Sequence, residues 1–164
     1  MKTIYFIRHA KSDWEHLDLA DIDRPLNDRG FRDAPRMAAF LKEKKITPSA
    51  IVSSPANRAH MTANFFADAF GIDREKIIIQ SKIYLASSIT LLELILTFPD
   101  TWETILLFGH NPSMTELANL FGKERIDNVP TCGIVCVESR VKKWKDFSQT
   151  TASRRAVYFP KNLS

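Results

Sequence analysis

Residues 2–14 read KTIYFIRHAKSDW. Thr3 to Ile7 is a β-branched and aromatic run, the composition of a strand with little polar surface. It stops on Arg8 and His9 and then turns polar. Taken alone, such a pair is ordinary punctuation at the end of a strand. The alternative is a charged group and a nucleophile placed together at the rim of a sheet. Successive strand residues point to opposite faces. Arg8 and His9 therefore converge only if the backbone leaves the strand at His9–Ala10, which a small residue at position 10 permits.

Outward from this run, strand-like and helix-like segments alternate. SAIVSS (49–54), KIIIQ (76–80) and ETILLFG (103–109) read as strands. PRMAAFLKEKK (35–45) has helical spacing, with Asp33 and Pro35 as starting signals. NRAHMTANFFADAF (57–70) is a second helix, stopped by Gly71. SSITLLELILTF (87–98) is a third, capped by Ser87 or Ser88, and SMTELANLFG (113–122) a fourth. GIVCVES (133–139) and KWKDFSQ (143–149) read as two further strands, and AVYF (156–159) as a seventh. Alternation with near-continuous apolar strands predicts an α/β fold, a three-layer α/β/α sandwich around a mainly parallel sheet. The stretch from Ala10 to about Asn27 has no periodicity, and long structureless connections inside compact folds are often functional.

The bulk properties bound the rest. A chain of 164 residues with 45% hydrophobic content is expected to form a single domain, residues 1–164, with a real core. Lys and Arg number 23 against 19 Asp and Glu, a net charge of +4. That mild excess favours a phosphorylated or acidic ligand, and no Lys/Arg block marks a nucleic-acid groove. No segment has the roughly 18 apolar residues of a membrane helix, and the short run before Arg8 does not read as a signal peptide. Cys132 and Cys136 fall in one β-like run, roughly 13 Å apart by strand rise, beyond the roughly 7 Å limit of a disulfide. Free thiols suit a cytoplasmic location. The oligomeric state is not legible.

In open α/β sheets, ligands bind beyond the carboxyl ends of the strands. Arg8 and His9 end the first strand. Ser53-Ser54-Pro55 ends the second, with Arg58 in the first turn of the next helix, and Gly109-His110-Asn111-Pro112 ends the fourth. Two guanidinium groups at one rim suit a phosphate. One histidine there can attack phosphorus, and the other can stabilise transferring charge. Metal binding by His9 and His110 is disfavoured, because the two arginines repel a cation and no carboxylate or thiolate stands at ligand spacing.

RHA (8–10), SSPANRAHMTA (53–63) and FGHNP (108–112), in this order at these strand ends, resemble the histidine phosphatase superfamily, the phosphoglycerate mutase-like fold. Its signature is usually written RHG, and Ala10 replaces the glycine. DRPLNDRG (23–30) and the compact length resemble the SixA-type phosphohistidine phosphatase branch. The resemblance implies a phosphatase with no cofactor in which His9 is the phosphorylated nucleophile. Arg8 and Arg58 clamp the phosphoryl group, and His110 is the second pocket histidine. It also places Ser12 and Arg24 near the substrate and Asn111 in the pocket wall. The implied partner is a phosphorylated protein carrying phosphohistidine. The alternatives are a small phosphomonoester or, for a non-catalytic chain, a phosphate-binding interaction domain.

One departure bears on the substrate. Many relatives carry an acid near the third strand end, yet KIIIQSKIYLASSITLL (76–92) contains none. An alcohol leaving group gains about 10²–10⁴-fold from a general acid, and a phosphorylated imidazole needs less help. The departure favours phosphohistidine, unless Asp13, Glu15 or Asp18 supplies a proton.

Overall fold

The computed structural model describes residues 1–163. Its centre is a six-stranded sheet of β1 (Lys2–Arg8), β2 (Ala50–Ser53), β3 (Ile78–Ile79), β4 (Thr104–Gly109), β5 (Ile134–Ser139) and β6 (Ala152–Tyr158). The spatial order is β3-β2-β4-β1-β5-β6. β1 to β4 are mutually parallel and β5 alone runs against them, so the sheet is mainly parallel as expected.

The helices are α1 (Asp28–Glu43), α2 (Asn57–Ala69), α3 (Ser88–Leu96) and α4 (Ser113–Phe121). The alternation along β1 sorts the two cores. Tyr5 and Ile7 face a cluster that includes Met37 and Leu41 of α1 and Phe66 of α2. Ile4 and Phe6 face Leu91 and Ile95 of α3 and Met114 and Leu117 of α4. Three α/β/α layers result, with the parallel strands all ending on one rim. No helix among the described residues is long and apolar enough to cross a membrane.

Four local expectations need correction. α1 starts seven residues before Pro35, because the Asn27 side chain accepts the Gly30 N–H at 2.9 Å and caps it there. Pro35 then sits inside the helix, and Asp33 is a buried carboxylate bonded to Arg29 rather than a cap. KWKDFSQ is not a strand: Trp144–Asp146 is a 3₁₀ turn. Trp144 is pulled into the core there, its indole N–H donating to the Trp102 carbonyl at 2.8 Å and its backbone N–H to Asp100 Oδ1 at 2.8 Å. AVYF is therefore the end of a sixth strand, not a seventh. Cys132 lies outside β5, in a turn with φ 61°; both cysteines are free.

Gly30 is required by a close approach. A Cβ on it would stand 2.3 Å from the Lys11 carbonyl oxygen, so only glycine lets α1 abut the segment that follows His9.

Candidate functional site

β1 ends at Arg8, and the backbone from Arg8 to Ala10 is held by partners from several segments. Arg8 N–H donates to the Gly133 carbonyl at 3.1 Å and His9 N–H to the Gly109 carbonyl at 3.1 Å. The Cys132 N–H is shared between the Arg8 and His9 carbonyls at 3.0 Å each. Ala10 N–H donates to Thr62 Oγ1 at 2.9 Å, and that hydroxyl donates onward to the Arg58 carbonyl at 2.7 Å. Thr62 thus ties the turn after His9 to the first turn of α2. Ala10 is fully buried and is not among the residues with positive φ, so alanine in place of glycine carries no backbone strain.

The structure brings Arg8, His9, Arg58 and His110 together, the two histidines and Arg58 buried and Arg8 half-buried. The two imidazole rings are 5.2 Å apart between centroids. His9 Nδ1 donates to its neighbour's Ala10 carbonyl at 2.7 Å. A carbonyl only accepts, so the neutral ring carries its proton on Nδ1 and presents a lone pair on Nε2. Burial is the main cause that lowers the His9 pKa, to about 3; the Ala10 carbonyl opposes the shift, and His110, Arg58 and Arg8 add to it. His110 is lowered to about 4, first by burial and then by Arg58. Both rings are neutral at pH 7.

Ser54 joins the second and fourth strand ends. Its Oγ accepts the Ala56 N–H at 3.2 Å and stands 2.8 Å from His110 Nε2. With the hydroxyl assigned as donor to Nε2, the His110 proton sits on Nδ1.

Each arginine is gripped by its far end. Arg8 Nη1 donates to the Val129 carbonyl at 3.0 Å. Arg58 Nη1 donates to the Asp21 carbonyl at 2.8 Å and Nη2 to Asp21 Oδ2 at 3.1 Å. Arg8 Nε, Arg58 Nε and His110 Nδ1 are buried with no partner among the described residues. Buried donors are rarely left unpaired in a folded protein, and three around one imidazole call for an anion.

The three remaining expected residues brace this site. Arg24 donates to Ser12 Oγ at 2.6 Å, to the Asp13 carbonyl at 3.3 Å and to Asp21 Oδ1 at 3.0 and 3.2 Å. Its guanidinium lies under the exposed Trp14 ring, 3.6 Å from the centroid. The Asn111 side chain donates to the Val129 carbonyl and to Asn128, and accepts from Thr115. It thereby fixes the carbonyl that holds Arg8.

Sequence reasoning assigned no role to Asp21, Ser54, Thr62 or Tyr84. Tyr84, in the acid-free stretch after β3, donates to Asp21 Oδ2 at 2.6 Å and sets its ring edge-on to His110. Nothing in the sequence pairs Asp21 with residues 37 and 63 positions away.

The model of the histidine phosphatase superfamily (branch 1) matches residues 4–81. The solved SixA protein of Agrobacterium tumefaciens is 31% identical, covering 85% of this chain and 92% of its own, with a TM-score of 0.74. The chain belongs to the histidine phosphatase superfamily. It falls in the SixA-type branch and is a phosphatase. An uncharacterized protein of Mycobacterium tuberculosis is 30% identical over 94% of this histidine phosphatase and 100% of its own length. A structure of the protein histidine phosphatase SixA complexed with tungstate shares the fold, with a TM-score of 0.78 over 99% of both chains at 19% identity.

The two neutral histidines make stability pH-dependent. Their pKa values lie below the usual 6.5 in the folded state. The unfolded chain therefore binds more protons as pH falls through 6.5, and stability drops from there down to the folded values. Each histidine is expected to cost about 1.4 kcal/mol per pH unit over that window. Urea titrations at pH 7.0 and 5.0 check this, and His110→Asn should halve the difference.

Proposed function

We propose that this phosphatase hydrolyses protein phosphohistidine through a covalent phosphoryl group on His9. The observation that carries the reading is the His9 ring itself. Its Nδ1 proton is fixed by the Ala10 carbonyl, its Nε2 has no partner among the described residues, and the arginines and histidine clustered with it carry three unpartnered buried donors. An oxyanion on Arg8 Nε, Arg58 Nε and His110 Nδ1 would set phosphorus against Nε2. A SixA neighbour of the same fold was solved in complex with tungstate, an oxyanion of similar shape to phosphate.

The reaction runs in two displacements. Nε2 forms a bond to phosphorus as the substrate's P–N bond breaks. The released electron pair returns to the substrate imidazole, which keeps a proton on its other nitrogen. Water then attacks phosphorus, the P–Nε2 bond breaks, and inorganic phosphate leaves with one water proton passing to solvent. The two arginines and His110 balance the charge on the equatorial oxygens throughout.

Phosphohistidine is favoured because the carboxylate bonded to Arg58, that of Asp21, has no proton to give. Asp21 is ionised: the Tyr84 hydroxyl, followed by Arg24 and Arg58, lowers its pKa to about 2. Asp13 accepts from the Glu15 N–H and pairs with His16, which lowers its pKa as well. Glu15 and Asp18 are exposed on the loop. An alkoxide would leave without help, whereas an imidazole leaves readily. The free Cys132 and Cys136 suit a reducing, cytoplasmic setting.

A panel of a phosphohistidine peptide, a phosphoserine peptide and small sugar phosphates tests the substrate class. The phosphohistidine peptide is expected to show a kcat/KM at least about 10²-fold above the esters, the factor a general acid would supply. A small phosphomonoester hydrolysed faster than the peptide would overturn the assignment.

A further inference from the structure

Asp21 lies in the 3₁₀ turn Asp21–Asp23 of the loop between β1 and α1, yet it contacts α2 and the loop after β3. Its carboxylate is saturated. Oδ1 accepts from Arg24 Nε and Nη2 at 3.2 and 3.0 Å, and Oδ2 accepts from Arg58 Nη2 at 3.1 Å and Tyr84 Oη at 2.6 Å. Its own carbonyl accepts from Arg58 Nη1 at 2.8 Å.

Two roles suit a carboxylate placed against a phosphate-binding arginine. It can be a competitor that the incoming phosphate displaces, or a brace that aims the guanidinium. The pattern on the second arginine decides between them. Arg8 is also held by a terminal nitrogen, on the Val129 carbonyl, and also keeps a buried, unpartnered Nε. Both guanidiniums are thus fixed by the protein at their ends, with the Nε position left over. A competitor would occupy the position the ligand needs; Asp21 occupies the other.

The geometry points to Asp21 as a positioning residue for phosphoryl transfer. It holds Arg58 so that its Nε edge stays available beside His9, and Tyr84 holds Asp21. A rigid clamp of this kind matters because a misplacement of about 1 Å in a catalytic group costs about 10²-fold in rate. The acid-free stretch after β3 then has a function in this chain: it supplies a phenol that keeps a distant carboxylate seated.

The inference rests on the proposed phosphate-transfer role of the rim, and the test separates the two. Turnover of a phosphohistidine peptide and inhibition by inorganic phosphate are measured for the wild type, Asp21→Ala, Asp21→Asn, Tyr84→Phe and the Asp21→Asn/Tyr84→Phe pair. Asp21→Ala is expected to lower kcat by about 10²-fold and to weaken phosphate inhibition. Asp21→Asn keeps the backbone carbonyl and one side-chain acceptor and should lose less. Tyr84→Phe should lower kcat in the same direction, and the pair should be no worse than Asp21→Asn alone, because the two act in one chain of contacts. Tighter phosphate inhibition in Asp21→Ala would establish the competitor and overturn the brace. An unchanged kcat, or additive losses in the pair, would also overturn it. If Asp21→Ala does not fold, the Asp21→Asn and Tyr84→Phe arms decide on the same criteria. A wild type that neither turns over the peptide nor is inhibited by phosphate would instead refute the proposed function.

Discussion

His9→Ala is expected to lower turnover by about 10⁴-fold or more, the scale on which removing an enzyme nucleophile acts. The expectation follows from the ring's surroundings. Burial keeps it neutral, and the Ala10 carbonyl fixes the tautomer. His110 is 5.2 Å away between centroids, but its Nε2 is committed to Ser54. Inorganic phosphate should still bind to the variant, since Arg8, Arg58 and His110 keep their donors. Initial rates on the phosphohistidine peptide, together with phosphate binding by calorimetry, check both halves. A variant that lost binding and rate in equal measure would point to a collapsed site rather than a missing nucleophile.

The second large effect is expected at Arg58. Arg58→Lys keeps one positive charge, but its three donors radiate from one nitrogen and cannot span from the two Asp21 oxygens to the ligand as the separate nitrogens of the guanidinium do. Lysine is a single point charge on a flexible stem, whereas the guanidinium is a planar fork. The loss is expected to be about 10²–10³-fold in kcat/KM, the value of one well-placed donor to a developing oxyanion. It also leaves Asp21 with only Arg24 and Tyr84 as partners. Steady-state kinetics of the lysine variant check this, and retention of wild-type kcat/KM would show that Arg58 is structural.

The sheet was legible because its strands are apolar runs with helices between them, and because β1 ends abruptly on Arg8 and His9. The four residues Arg8, His9, Arg58 and His110 were legible for a related reason. Each follows a parallel strand end closely in sequence, so local spacing alone carries it to the rim. The supports were not. Asp21 acts on Arg58 and Tyr84 across long sequence separations, and Thr62 couples Ala10 to the Arg58 carbonyl. No periodicity encodes such contacts. The Lys/Trp/Lys alternation around Trp144 mimics a half-buried strand, while a bond to Asp100 and burial of the indole impose a turn instead. Pro35 carries the signal of a helix start in the sequence, yet it stands inside the helix here and Asn27 is the cap.

The covalent step is the central claim, and trapping it is the most direct test. The enzyme is mixed with a peptide carrying ³²P-labelled phosphohistidine, quenched in base within the first turnover, and digested for mass spectrometry. The predicted result is a base-stable, acid-labile phosphate on His9 that forms before inorganic phosphate appears and is absent from His9→Ala. Full hydrolysis by His9→Ala, or a phosphoenzyme labelled at any other residue, would contradict it.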